Sequence, residues 1–275
     1  MTDKTLLSEL ERYYDAAPRA GGARAEDIGP LTLFVQEGAG WPYYARPLLG
    51  APDGPAAAEV SAADVERVLA RQRELKVPES FEWVAETTPS LRAAVEAAGL
   101  HVHAHPLMVL DPAAVPPPAH PDVRVLGADD ALLGPAVTVP MLAFSAPGTA
   151  VGEAGPAELA VAAQDPAVEP RRERVSGMIA SGRTVMAAAE RDGVVLCAGQ
   201  YIPVGEVAEV VGVGTLPAAR RQGLALAVTA ALVADALAHG ARTVFLSAGD
   251  EDVARIYGRL GFRHVGTALI AEPPL

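Results

Sequence analysis

The chain has a single cysteine, Cys197, in 275 residues. An intramolecular disulfide and a cysteine zinc site are both excluded, and a reducing cytoplasm suits it. Positive charge is also short: 22 Lys and Arg face 34 Asp and Glu, for a net charge of −12. That balance argues against general nucleic-acid binding, which needs a basic surface. It is compatible with a cationic substrate, and equally with solubility alone. No apolar run is long enough for a bilayer, because the longest, around 224–238, is broken by Thr229 and Asp235. The opening MTDKTLLSELERYYDAAPRA lacks the apolar stretch of a secretory signal. The expectation is a soluble cytoplasmic protein without membrane or nucleic-acid partners.

Half of the residues are hydrophobic, enough for a sizeable core, and the 26 Gly and 24 Pro are dispersed. The length suits one large domain or two small ones. The clearest linker is DPAAVPPPAHP, 111–121, whose prolines forbid helix. It divides the chain into 1–115, a linker at 116–121, and 122–275. The two sides echo each other. Aligning Gly99 on Gly261 sets Leu100 on Phe262, Leu91 on Val253, Trp83 on Phe245 and Val95 on Tyr257. Segments 81–110 and 244–270 each read as strand, polar turn, amphipathic helix, glycine stop, strand. This suggests an internal repeat.

In the second half, 122–126 reads as a strand, and 129–144 and 170–181 as helices joined by a Pro/Gly/Ala-rich connection. Residues 184–204 read as a hairpin turning at Asp192-Gly193. A strand at 206–216, a helix at 224–238, a strand at 243–247, a helix at about 252–260 and a strand from Phe262 complete the pattern. Hairpins followed by a β-helix-β-helix-β run make an α/β (α+β) fold with a mixed, mostly antiparallel sheet flanked by helices.

The helix start at LPAARRQGLALA, 216–227, is unusual. No Ser, Thr, Asp or Asn caps it, and Arg220 and Arg221 sit at the positive end of its dipole. With Gly223 allowing close approach, this is an anion cradle in which free N–H groups wait for a phosphate. It is not a P-loop, because no Lys-Ser/Thr follows a glycine, and GVGTLP lacks the third glycine of a dinucleotide fingerprint. Two surface arginines beside a tolerated glycine would be the plain alternative.

The stretch VGVGTLPAARRQGLA, followed some distance on by ARIYGRLGF, resembles the GNAT superfamily of acyl-CoA N-acyltransferases. Arg220, Gly223 and Ala225 match its R-x-x-G-x-G/A pyrophosphate motif, with Ala as the last residue. IYGRLGF, 256–262, matches its L-Y-x-x-x-G-F signature. The resemblance covers 122–275. The first half has no such motif and would be a degenerate GNAT-like copy, as in tandem members.

The resemblance implies acetyl-CoA as co-substrate, with pantetheine lying along Val213, Gly214 and Thr215. It implies pyrophosphate on the amides of Arg221, Gln222, Gly223, Leu224 and Ala225. Small residues would help there, because the ligand must come close to the main chain. Tyr257 matches the tyrosine that protonates the departing thiolate in many members, a role open to a phenol of pKa ~10 in a dry site. Its i, i+3, i+4, i+7 face with Val253, Ile256 and Leu260 would also suit a core tyrosine. Val95, at the aligned position, has no proton to give, so the first half should be catalytically silent. Asp250 stands where the family often has an asparagine contacting the cofactor; it would equally cap a helix. Glu209 lies where the histone-acetylating branch carries its base, with Glu206 at the strand start as the lesser candidate.

Other clusters carry less. His101, His103 and His105 alternate on one strand face, but i and i+4 stand nearly 14 Å apart at ~3.4 Å per residue, too far for one ion. No metal is expected. Trp41, Tyr43 and Tyr44 read as core and edge aromatics of the first half, with an interface or an acceptor site as the alternative. Cys197, in VVLCAG, reads as a small core residue rather than a nucleophile. The expected activity is direct transfer of acetyl to the amine of a small molecule or peptide in a ternary complex, the acceptor lying beside 141–166. A non-catalytic CoA-binding module and a dimerisation scaffold are the rivals, and a homodimer stays open.

Overall fold

The computed structural model describes residues 3–38, 40, 42–50 and 59–274. Trp41 lies outside them. The chain forms two compact units, Met1–Leu107 with His264–Leu275, and Met108–Arg263. The units change over after Leu107 and after Arg263.

In the first unit, helix α1 (Asp3–Ala20) is followed by three strands, β1 (Arg24–Ile28), β2 (Leu31–Val35) and β3 (Ala45–Pro47). Helix α2 (Ala62–Leu75) leads to β4 (Phe81–Val84), α3 (Pro89–Ala97) and β5 (His101–Leu110). β1 and β2 are antiparallel, as are β2 and β3, whereas β3 and β4 are parallel with one registered pair, Ala45 with Phe81. Leu31, Leu33, Val68, Leu69, Phe81 and Trp83 are buried in its core.

The second unit begins with β6 (Val123–Leu126) and three helices, α4 (Leu133–Phe144), α5 (Pro156–Ala162) and α6 (Val168–Ala180). The expected helices at 129–144 and 170–181 are α4 and α6. The short α5 lies inside the expected connection, where Glu158 reaches back to the Gly155 amide at 2.7 Å and fixes its first turn. Then come β7 (Val185–Arg191), β8 (Val194–Val204) and β9 (Val207–Thr215). Asp192 and Gly193 both have positive φ, as a tight hairpin turn needs. Helix α7 (Leu224–Ala238), β10 (Thr243–Ser247), α8 (Glu251–Gly258) and β11 (Phe262–Glu272) follow. Strand order in this unit is β10-β9-β8-β7-β6, antiparallel except for β9 with β10. The fold is mixed α/β with mostly antiparallel sheet and flanking helices.

β4-α3-β5 and β10-α8-β11 share one element order. Gly99 and Gly261 close the two helices at φ +87° and +91°, a conformation that glycine adopts without strain. The last strand of each segment runs into the other unit. Met108 and Leu110, at the end of β5, belong to the core of the second unit. Leu269 and Ala271, in β11, belong to the core of the first, where β11 pairs antiparallel with β4 from Ala268–Val84 to Ala271–Phe81.

Candidate functional site

β9 is bonded to β8 from Val207 to Thr215, but to β10 only from Val207 to Glu209. Beyond Glu209 the registered pairing with β10 stops while β9 continues for six residues to Thr215. The two strands therefore part after Glu209, and Val213, Gly214 and Thr215 stand beyond that point. Unpaired strand backbone of this kind suits an extended ligand. A bulge shapes this stretch: Gly212 and Val213 together face Gly199 of β8, with Gly212 at φ +64°. A Cβ on Gly199 would lie 2.7 Å from Val213 Cγ2, so the bulge requires glycine there. At Gly214 a Cβ would come within 2.7 Å of Pro140 Cα, so α4 packs on the other side of the strand.

After Thr215 the chain makes a 3₁₀ turn, Pro217–Ala219, and enters α7 through Arg220–Gly223. Arg221 has φ +66° and Gly223 φ +78°. Among the described residues only Lys76 and Asp192 share Arg221's status as positive-φ non-glycines. Lys76 ends α2 and Asp192 turns a hairpin, whereas Arg221 has neither role and bends a loop before a helix. Left-handed residues in such a loop turn successive N–H groups to one side, the anion-binding nest. No side chain caps α7, and its first turn closes with Ala227 N–H donating to Gly223 O at 3.0 Å. The amides of residues 224–226 precede that bond and sit at the positive end of the helix. Space around Gly223 is open. Its requirement is thus conformational, as well as the close approach expected from the sequence.

The arginine side chains depart from the expectation that their charge serves the anion. Arg220 donates from Nη2 to the carbonyls of Ala143 (2.9 Å) and Ala146 (2.6 Å), and from Nη1 to Ala150 O (3.0 Å). Arg221 donates from Nε to Thr149 O at 3.0 Å and from Nη2 to its hydroxyl at 3.3 Å. Ala143 lies in the last turn of α4, where carbonyl dipoles attract a cation. The Gln222 side chain accepts from Arg191 Nη1 at 2.6 Å. Arg221, Gln222 and Gly223 are exposed, Ala225 is half-buried and Leu224 is buried.

Tyr257 is 8% exposed, with its ring edge-on to Phe262 at 6.1 Å between centroids. Burial raises its pKa well above the ordinary phenol range. The charge of a Cys197 thiolate would add to that, and Thr229 opposes it. Thr229 Oγ1 is buried beside the phenol. Cys197 is fully buried, accepts from Thr215 Oγ1 at 3.2 Å, and has its thiol pushed up to about 12 by desolvation. A neutral, enclosed thiol is a poor nucleophile. Thr229 and Cys197 thus stand close to the tyrosine, with Thr215 bonded to the thiol, a grouping that spacing alone did not reveal.

Glu209 is half-buried at the last registered pair with Phe245 of β10. Glu206 is exposed and ion-paired with Arg242 at 3.0 Å. Asp250 caps α8, accepting from Val253 N–H at 2.8 Å. On β5, the His101 and His103 rings meet edge-on at 4.6 Å, and His103 lies 3.4 Å from Glu272. Among the described residues no group of three could hold a metal ion. No helix among them is long and apolar enough to cross a membrane.

Comparison with known proteins assigns this fold to a class. Residues 158–262 match the model of the acetyltransferase (GNAT) family. Among solved structures, the chain resembles a GCN5-related N-acetyltransferase from Kribbella flavida at 23% identity, over 95% of each chain, with a TM-score of 0.63. It also resembles a tandem GNAT protein from the clavulanic acid biosynthesis pathway, at 16% identity over 88% of this chain and 77% of that one, TM-score 0.55. A GCN5-related N-acetyltransferase from Sphaerobacter thermophilus shares 16% identity over 91% of this chain and 84% of its own, TM-score 0.50. At these identities the structural likeness is one of fold. Comparison with curated proteins finds no match. Residues 158–262 are thus similar to the GNAT family, and the likeness of the rest of the chain to GNAT structures is one of fold. The match at 158–262 supports an acyl-CoA-dependent N-acetyltransferase as the general class of activity.

Proposed function

We propose that residues 122–275 transfer an acetyl group from acetyl-CoA to an amine of a small molecule or peptide, by direct attack in a ternary complex. One observation carries this: an uncapped helix start, entered through left-handed residues, directly follows a strand that has lost its neighbour. The amides of Arg221, Gln222, Gly223, Leu224 and Ala225 would hold the pyrophosphate. The backbone of Val213, Gly214 and Thr215 would pair with the pantetheine arm. Arg220 contributes through the shape of the loop. Asp250 has the weakest claim to the cofactor, because its carboxylate is engaged on α8.

Tyr257 is proposed as the general acid. Its raised pKa keeps it protonated at neutral pH, and its hydroxyl would give a proton to the departing thiolate. Glu209, at the point where the strands part, is proposed to accept the proton of the attacking ammonium, directly or through water. Residues 141–166 would line the acceptor side. The first half, 1–115, is proposed to be a degenerate GNAT-like domain, with 116–121 as linker and 122–275 as the catalytic domain. Its Val95 matches Tyr257 and cannot donate a proton.

A second reading, a CoA-binding module without turnover, draws on the same tyrosine: its hydroxyl is enclosed by Cys197 and Thr229. Thermal shift with acetyl-CoA, then free-thiol release across a panel of amines, separates the two. Binding with amine-dependent thiol release supports the transferase. Binding without release favours the module, and no binding rejects both.

A further inference from the structure

The loop between α4 and α5 is fastened to the cradle at many points. Arg220 alone gathers the carbonyl of Ala143, in the last turn of α4, and those of Ala146 and Ala150 in the loop, within 2.6–3.0 Å. Arg221 adds both polar groups of Thr149. The backbones are stitched too: Gly152 N–H donates to Pro217 O at 3.0 Å, and Ala218 N–H to Ala154 O at 2.9 Å. A Cβ on Gly152 would lie 2.9 Å from Pro217 Cβ, and one on Gly155 3.2 Å from Ala218 Cβ, so the two segments are in close contact. A planar guanidinium suits this task. Its forked donors reach several carbonyls at once, which the compact ammonium of a lysine does not reproduce.

We infer that Arg220 is a positioning residue that joins the acyl-donor cradle to the 145–154 loop, so that the two set as one piece. The inference rests on the proposed reading of 221–225 as the phosphate cradle and of 141–166 as the acceptor side. Its consequence is that holding an acyl-CoA pyrophosphate also orders the acceptor side. The same linkage supports Arg221 at φ +66°, a backbone state that a non-glycine residue holds only when its surroundings enforce it.

Hydrogen exchange on the whole chain tests this, comparing the parent with Arg220→Lys. Without cofactor, exchange in the variant should quicken at least about tenfold in both 145–154 and 217–226, while the β7–β8 hairpin keeps its parent rate. Quickening of one segment alone, or of neither, overturns the inference. If β7–β8 also quickens, the fold itself is disturbed, and Arg221→Lys, which cuts only the Thr149 bonds, replaces it under the same criteria. Saturating acetyl-CoA should slow both segments in the parent; in Arg220→Lys it should slow 221–226 but no longer 145–154. Protection of 221–226 alone in the parent contradicts the coupling. No protection anywhere removes the proposed function, and the cofactor-free comparison still decides the linkage.

Discussion

Helices α2 and α7 each cross between two parallel strands, yet they begin in opposite ways. At α2, Ser61 Oγ accepts from the Asp64 amide at 3.3 Å, and Asp64 Oδ2 accepts from the Ser61 amide at 2.8 Å. That capping box spends the free amides and places a carboxylate at the positive end of the helix. At α7 nothing is spent. A crossover helix therefore offers an anion site only when its own sequence leaves the first turn unsatisfied. The interiors differ in the same sense. The first unit buries an ion pair, Arg46 with Glu11, whose carboxylate also accepts from Val84 N–H at 3.1 Å and Thr87 Oγ1 at 2.6 Å. The second buries neutral hydroxyls and a thiol around Tyr257. One unit uses its polar groups to hold itself together, and the other encloses a neutral phenol.

Removing the donor should have the largest effect. Tyr257→Phe keeps the ring against Phe262, so kcat should fall roughly 10²- to 10⁴-fold with little change in the KM for acetyl-CoA. Turnover within a few-fold of the parent would make Tyr257 a packing residue and bring the two units closer in kind. Glu11→Ala sharpens the opposite side. It leaves the Arg46 guanidinium, 0% exposed, as an unpaired buried charge, at a cost of about 3–5 kcal/mol in denaturant unfolding. A loss under 1 kcal/mol would show that the pair is not what fastens α1 to the first unit's sheet.

Giving α7 the kind of carboxylate that α2 carries erases the contrast directly. Gly223→Asp should weaken acetyl-CoA binding by about 10²-fold or more in calorimetry, since the new charge takes the amides and repels phosphate. Unchanged affinity would mean that the loop holds no phosphate.

Glu82 gives a pH signature to the first unit. Desolvation raises its carboxyl to about 7, partly opposed by Arg46. A folded-state pKa above the unfolded one adds stability at low pH that is lost as pH rises from about 4.5 through 7. Glu82→Gln should therefore gain about 1–3 kcal/mol on the parent at pH 8 and nothing at pH 4. An equal gain at both pH values would contradict ionisation as the cause. The smallest effect belongs to Ser61→Ala, which removes one cap and should cost about 1 kcal/mol. It should create no acetyl-CoA site in the first unit.

Local order was well signalled along the chain. The periodicity of LALAVTAALVADALA, the Asp192-Gly193 turn and the stop at Gly261 are short-range signals, and α7, the β7–β8 hairpin and the end of α8 follow them. The missing cap at 216–224 was legible for the same reason, since capping involves neighbours only. Pairings between distant residues left no such trace. β11 reads as a strand from its residues, but nothing in them tells that Leu269 pairs with Trp83. The partners of Arg220 are carbonyls some 70 residues earlier, and any residue has a carbonyl, so the sequence suggested phosphate instead. Gly212 looked like one more glycine in a strand, and its bulge depends on the register with β8.

The central claim is that the two crossover helices differ in kind, one satisfied and one waiting for an anion. Titration of the whole chain with acetyl-CoA, read by calorimetry and by amide exchange at 61–65 and 221–226, tests it most directly. The account predicts one acetyl-CoA per chain, with protection at 221–226 and no change at 61–65. Two equivalents bound, or protection at 61–65, would contradict it.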